Sequence, residues 1–152
     1  MRCGQYAVVD GIEYEARVWG RGRGTVSLFI PQIGQKPDGW APAREGTWYR
    51  EVSATEVSDA FAISTRASLD HVAVHVDSVN AMDRTAIVRA VQATSRSDHG
   101  ARPPHPLLTR LDYSPYSIDW VGKVPWDRLT DVDEVVGRID PSTGRRIDDD
   151  AP

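Results

Sequence analysis

The stretch Trp48-Tyr-Arg-Glu-Val-Ser-Ala-Thr-Glu-Val-Ser-Asp59 is echoed 72 residues later by Trp120-Val-Gly-Lys-Val-Pro-Trp-Asp-Arg-Leu-Thr-Asp131. The opening tryptophan, the valine four residues on and the closing aspartate are identical, and a Val/Leu pair and a Ser/Thr pair are conservative. Recurrence at a fixed spacing is typical of a duplicated structural module. The stretch therefore predicts a chain built from two tandem repeats.

The residues around the first copy predict antiparallel strands. Asp10-Gly11 separates two β-prone segments, and this dipeptide favours a type I′ hairpin turn because both central residues need a positive φ. Apolar and charged residues alternate along Ile12–Val18, as in a strand with one buried face. Ser53-Ala-Thr-Glu56 has the form of a capping box and predicts one short helical turn.

The second half repeats this order. Strands are predicted at Asp70–Val76, Thr85–Val91, Trp120–Val124 and Glu134–Ile139, and Pro125 suits the first position of a short helical turn. The first strands align at an offset of 57, with Ala16 opposite Ala73. The long irregular stretch 95–115 replaces a shorter loop.

The predicted fold class is mainly β, with α+β at the margin. It consists of two tandem β-rich repeats of antiparallel strands, long loops and short helical turns. Residues 1–66 form the first repeat, residues 67–147 form the second repeat packed on the first, and residues 148–152 form a disordered acidic tail.

Composition narrows the class of protein. The single cysteine, Cys3, excludes an intramolecular disulfide and fits a reducing compartment, and no apolar stretch approaches the ~18 residues of a membrane span. We therefore expect a cytoplasmic protein. The net charge of −4 argues against a nucleic-acid partner. From Asp127 onward there are eight acids against four arginines, so this end either meets a basic partner or is a solvated tail.

No residue pattern predicts a catalytic or metal site. His71 and His75 are four apart, but in a strand their imidazoles would lie about 13 Å apart, which does not suit a metal. Asp98 and His99 in the long loop lack the Gly-x-Ser-x-Gly context of a catalytic serine. The sequence predicts no enzyme, no metal and no cofactor.

Aromatic side chains in irregular segments are the candidates for binding a partner, since such residues often anchor interfaces. The alternative is that they pack back and tether their own loops. The candidate partner-binding residues are Trp40, Asp98, His99, Tyr113, Tyr116, Trp126 and Asp127.

The hairpin Val9-Asp-Gly-Ile-Glu-Tyr-Glu-Ala-Arg17, together with the two Trp-x-x-x-Val modules and their turns Glu51–Val57 and Lys123–Leu129, resembles small actinobacterial immunity proteins encoded beside secreted polymorphic toxins. This resemblance implies a monomer that forms a one-to-one complex with a cognate secreted toxin domain and blocks its active site. It transfers no individual site residue.

Two alternatives stay open beside the immunity protein. One is a small-molecule-binding β domain or a small enzyme that uses the loop histidines His99 or His105. A pocket at those histidines with a perturbed neighbour would favour it. The weaker one is a nucleic-acid-binding module built on Arg21 and Arg23, which lie in the glycine-rich stretch 20–24.

Overall fold

A computed structural model describes residues 1–18, 24–44, 46–98, 100–112 and 114–147 of the chain. Arg21, Arg23 and the predicted tail 148–152 lie outside these residues.

Within this part of the chain, twelve strands and two short 3₁₀ turns are present. All strand pairs with a defined register are antiparallel, which confirms the predicted mainly β class. The strands are β1 (Gly4–Val9), β2 (Ile12–Val18), β3 (Thr25–Pro31), β4 (Ala41–Pro42), β5 (Thr47–Ser53), β6 (Val57–Leu69), β7 (Val72–Asn80), β8 (Thr85–Ala90), β9 (Thr94–Ser95), β10 (Thr109–Leu111), β11 (Ser117–Pro125) and β12 (Leu129–Arg138), and the 3₁₀ turns are Ala54–Glu56 and Trp126–Arg128.

Two hairpin turns have the same backbone geometry. Asp10 and Gly11, with φ of 52° and 76°, join β1 to β2 as predicted. Asp70 and His71, with φ of 45° and 72°, join β6 to β7 in the same way. The two turns are 60 residues apart, whereas the predicted alignment of the first strands has an offset of 57, and that alignment stays a prediction. His71 belongs to this turn and not to the predicted strand.

The chain divides into two compact units. We call Gly4–Ile63 with Val136–Pro152 the N-terminal unit, and Ser64–Val135 with Met1–Cys3 the C-terminal unit. Strand β6 runs without a break through the predicted boundary after residue 66. The two units divide within this strand after Ile63, so its first part belongs to the N-terminal unit and its second part to the C-terminal unit.

In the N-terminal unit, the strand order is β6-β1-β2-β3-β5-β4. Side chains that alternate along these strands fill one core, because successive residues of a strand point to opposite faces. The core includes Ala7, Val9, Val26, Leu28, Trp40, Trp48, Val52 and Ala60.

In the C-terminal unit, the order is β6-β7-β8-β11-β10, and β9 also pairs with β11. Its core is separate. Alternation is regular here: every second residue of β8 is buried. The core includes Leu69, Val74, Val76, Val88, Leu108, Ile118, Trp120, Val124 and Leu129.

The segments that echo each other in sequence also match in secondary structure. Each has a strand, a three-residue 3₁₀ turn and a second strand, and both the turns and the strands after them begin 72 residues apart. Trp48 and Trp120 are both buried. A tandem duplication remains a prediction, although the element order agrees with it.

The two 3₁₀ turns differ in their caps. Ser53 and Glu56 form the predicted capping box, with the Ser53 N–H donating to the Glu56 carboxylate at 3.0 Å. Pro125 precedes the second turn as its N-cap residue, with an extended backbone, so its predicted place as the first helical residue is wrong. Neither turn is long enough to span a membrane, and the described residues contain no other helix.

Candidate functional site

Trp40 is a core residue and not an exposed anchor. Its side chain is only 8% exposed in the core of the N-terminal unit, 5.7 Å from the Tyr14 ring, with the Arg50 guanidinium 5.4 Å from its centroid. The Lys36 ammonium donates to the Trp40 carbonyl at 2.8 Å, which fixes the loop from the other side. Trp40 thus packs against its own unit, as the alternative for the loop aromatics expected, and a role of Trp40 in partner binding stays a prediction.

Trp126 is half-buried and tied to the turn between β7 and β8. Its indole N–H donates to the Thr85 carbonyl at 2.8 Å, and the Arg84 guanidinium lies 5.7 Å from its ring. These contacts join the second 3₁₀ turn to the start of β8. The next residue, Asp127, is exposed at the start of the acidic segment.

Tyr116 and Asp98 are exposed, as a partner-binding role requires. Tyr116 is 82% exposed, and its backbone carbonyl accepts from Arg96 N–H at 3.1 Å. The Asp98 carboxylate accepts from Gly100 N–H at 3.1 Å. His99 and Tyr113, the other two candidates in this loop, lie outside the described residues.

A second exposed region lies on the second 3₁₀ turn and on the part of β12 that belongs to the C-terminal unit. We call Asp127, Asp131, Val132, Asp133 and Val135 the acidic strand surface. Every residue from 130 to 136 is exposed, and Val132 and Val135 are 45% and 51% exposed. Strand β12 pairs with β6 and with no other strand among the described residues. Alternation thus fails here, and side chains on both faces meet solvent.

The aspartate carboxylates of the acidic strand surface have no partner among the described residues. Asp127, Asp131 and Asp133 form no hydrogen bond or ion pair within the described residues. Neighbouring charges are already engaged, since Arg128 donates to Asp70 at 2.6 Å and Glu134 accepts from Arg2 N–H at 2.6 Å. The surface therefore presents uncompensated negative charge beside exposed valines.

His105 is buried, and its side chain links the long loop to the β6–β7 turn through a hydrogen bond. Its Nδ1 accepts from Leu107 N–H at 3.0 Å, so in the neutral ring the proton is on Nε2. Nε2 then donates to the Asp70 carboxylate at 2.8 Å. Because both ring nitrogens are engaged and the residue is buried, His105 is not available as a general base in this arrangement.

The Asp70 carboxylate accepts hydrogen bonds from two side chains. The donors are His105 and Arg128, and these hydrogen bonds, that from His105 first, lower the pKa of Asp70 below the ordinary value of 3.8. A depressed folded pKa contributes stability above the unfolded pKa, and this contribution is lost as the pH falls through the folded value.

We expect Asp70→Asn to lower the thermal midpoint at pH 7 and to have no effect in strong acid. Asparagine keeps the size and tolerates the positive φ, so the variant removes chiefly the charge. The difference from wild type should shrink as the pH falls from about 3.8 and vanish once both side chains are neutral. Burial raises the pKa of Glu15, but Glu15 is present in both proteins, so its contribution cancels from the difference in thermal midpoint. Calorimetry between pH 2 and 7 measures this, with Asp38→Asn as the control. A difference that persists in acid would contradict the electrostatic explanation.

The residue arrangement was also searched for a metal site, and the chain was compared with known proteins. No group of three or more His, Cys, Asp or Glu side chains in the described part of the chain is arranged to hold a metal ion. Comparison with family models, curated proteins and solved structures finds no match to this chain. The site must therefore be interpreted from its own geometry.

Proposed function

We propose that this protein is an inhibitor that binds a cognate toxin enzyme in a one-to-one complex and covers its active site, as an immunity protein does. The acidic strand surface is the observation that supports this proposal. It combines three unpaired carboxylates, one in the 3₁₀ turn and two on β12, with two exposed valines of β12, a strand that pairs only with β6 among the described residues. Apolar contact with a charged surround is a combination that interfaces use.

The charge indicates the kind of partner. Like charges across an interface repel, so Asp127, Asp131 and Asp133 disfavour an acidic partner and favour a basic one. Enzymes that act on nucleic acids have basic clefts because their substrate is a polyanion. A nuclease-type toxin domain is therefore the class of partner that this surface would complement best. Tyr116 offers a separate aromatic contact from the C-terminal unit.

We expect the double variant Asp131→Asn/Asp133→Asn to slow association with the toxin about five- to tenfold at low salt, because exposed interfacial charges act mainly on the rate of encounter. Asparagine tolerates the positive φ of Asp131, so folding should be preserved. The partner to be tested is the C-terminal domain of the protein encoded by the gene immediately upstream, co-expressed with this chain and purified. Surface plasmon resonance at two salt concentrations gives the rates.

A matched control separates local charge from net charge. Asp10→Asn/Asp38→Asn makes the same change in net charge at exposed positions of the N-terminal unit. It should leave association nearly unchanged. Equal slowing by both pairs would place the interface elsewhere, and absence of any complex with the upstream domain would overturn the proposed function.

A further inference from the structure

A groove of about 440 Å³ lies on the C-terminal unit where β7 begins and β8 ends. Its walls are apolar, formed by Val72, Ala73, Val91 and Pro104. The backbone below is fixed, since Val91 N–H donates to the Ala73 carbonyl at 2.9 Å. The volume is in the range of small-molecule sites, and such sites are usually apolar with a few oriented polar groups.

Two polar side chains line this groove without partners of their own. The His71 imidazole and the Gln92 carboxamide make no hydrogen bond within the described residues. His71 is held at its base, because it sits in the tight β6–β7 turn and its neighbour Asp70 is fixed by His105 and Arg128. The nearby polar groups are thus engaged with one another, whereas these two remain available for a ligand.

The chemistry of these groups defines the ligand. A carboxamide presents one donor and one acceptor side by side, which pairs with a ring edge that has the reverse arrangement, as glutamine pairs with adenine. A neutral imidazole adds another donor and acceptor. Apolar walls suit the faces of a ring. Among the described residues no lysine or arginine lines the groove, so these residues offer a phosphate no such cation.

From this geometry we infer a binding site for an uncharged planar heterocycle of purine size, with Gln92 paired to its donor–acceptor edge and His71 bonded to a second polar atom. This site shares no residue with the acidic strand surface, and the inference does not rest on the proposed function.

The test is a titration of the ¹⁵N-labelled full chain with adenosine, followed by amide NMR. We expect saturable shifts of the Gln92 side-chain amide and of Val72 and Ala73, with a dissociation constant below about 1 mM. Gln92→Leu keeps the size and removes the pairing, so it should weaken binding at least tenfold. His71→Asn, which tolerates the positive φ, should weaken it less.

Control variants distinguish specific binding in the groove from nonspecific binding. Ala73→Phe fills the groove from an exposed strand position and should abolish the shifts; if it fails to fold, Gln92→Leu remains decisive. Gln35→Leu, at an exposed position of the N-terminal unit, should bind adenosine normally. Absence of saturation at millimolar adenosine would overturn the inference. So would equal binding of indole, which lacks the adjacent donor and acceptor.

Discussion

Truncation of Trp120 to alanine should lower the free energy of unfolding by about 3–5 kcal/mol, the range for buried tryptophans and phenylalanines. Trp120 is buried in the core of the C-terminal unit beside Ile118 and Val124. Its indole N–H donates to the Thr94 hydroxyl at 2.8 Å, so truncation also breaks the bond to β9. Urea unfolding followed by far-UV circular dichroism, at unchanged m-value, measures the loss.

Trp126→Ala is the matched control for this experiment. Trp126 is only half-buried and has one comparable hydrogen bond, to the Thr85 carbonyl. Its loss should cost roughly half as much or less, because less apolar surface leaves water when the protein folds. Trp48→Ala, 72 residues before Trp120 and buried in the N-terminal unit, should resemble Trp120→Ala. A smaller loss for Trp120 than for Trp126 would contradict the assignment of Trp120 to the core.

Patterns of neighbouring residues predicted several turns of the fold correctly. Asp10-Gly11 predicted its hairpin because glycine and aspartate both accept a positive φ, and Ser53 with Glu56 predicted the capped turn. Asp70-His71 forms the same kind of turn without a glycine, and its flanking valines made it resemble the interior of a strand. Aspartate and histidine both tolerate a positive φ, but a pair without glycine is a weaker hairpin signal than Asp-Gly, so the sequence did not predict this turn.

Such local patterns do not predict contacts between residues that are far apart in the sequence. His105 and Asp70 are 35 residues apart, and nothing local marks them as a pair. A loop rich in proline and glycine predicted irregular backbone around Trp40, but its composition does not say whether the indole points inward. In β12 the strand was predicted to begin at Glu134, whereas it begins at Leu129, and Val132 and Val135 are exposed on a strand that pairs only with β6 among the described residues.

Among the glycines of the described residues, Gly122 in β11 is the one where an added methyl group would lie closest to backbone atoms. A Cβ built there would lie 2.1 Å from the backbone oxygen of Leu107 and 3.2 Å from Leu108 Cδ2. The loop cannot easily retreat, because Leu107 N–H is bonded to His105 and Leu108 is buried. We expect Gly122→Ala to cost about 3 kcal/mol, at the upper end for overpacking.

Gly100→Ala provides the control, since its nearest neighbour beyond the adjoining residues is Asp98 Oδ1 at 3.8 Å. That variant should change the free energy of unfolding by less than about 0.5 kcal/mol. If Gly122→Ala were equally harmless, the loop would have to move, and the amide signals of Leu107 and Leu108 would report it. Arg50 occupies the position 72 residues earlier, so the N-terminal unit accepts a long side chain there. The glycine is therefore required by the close approach of the loop to β11, and not by the strand itself.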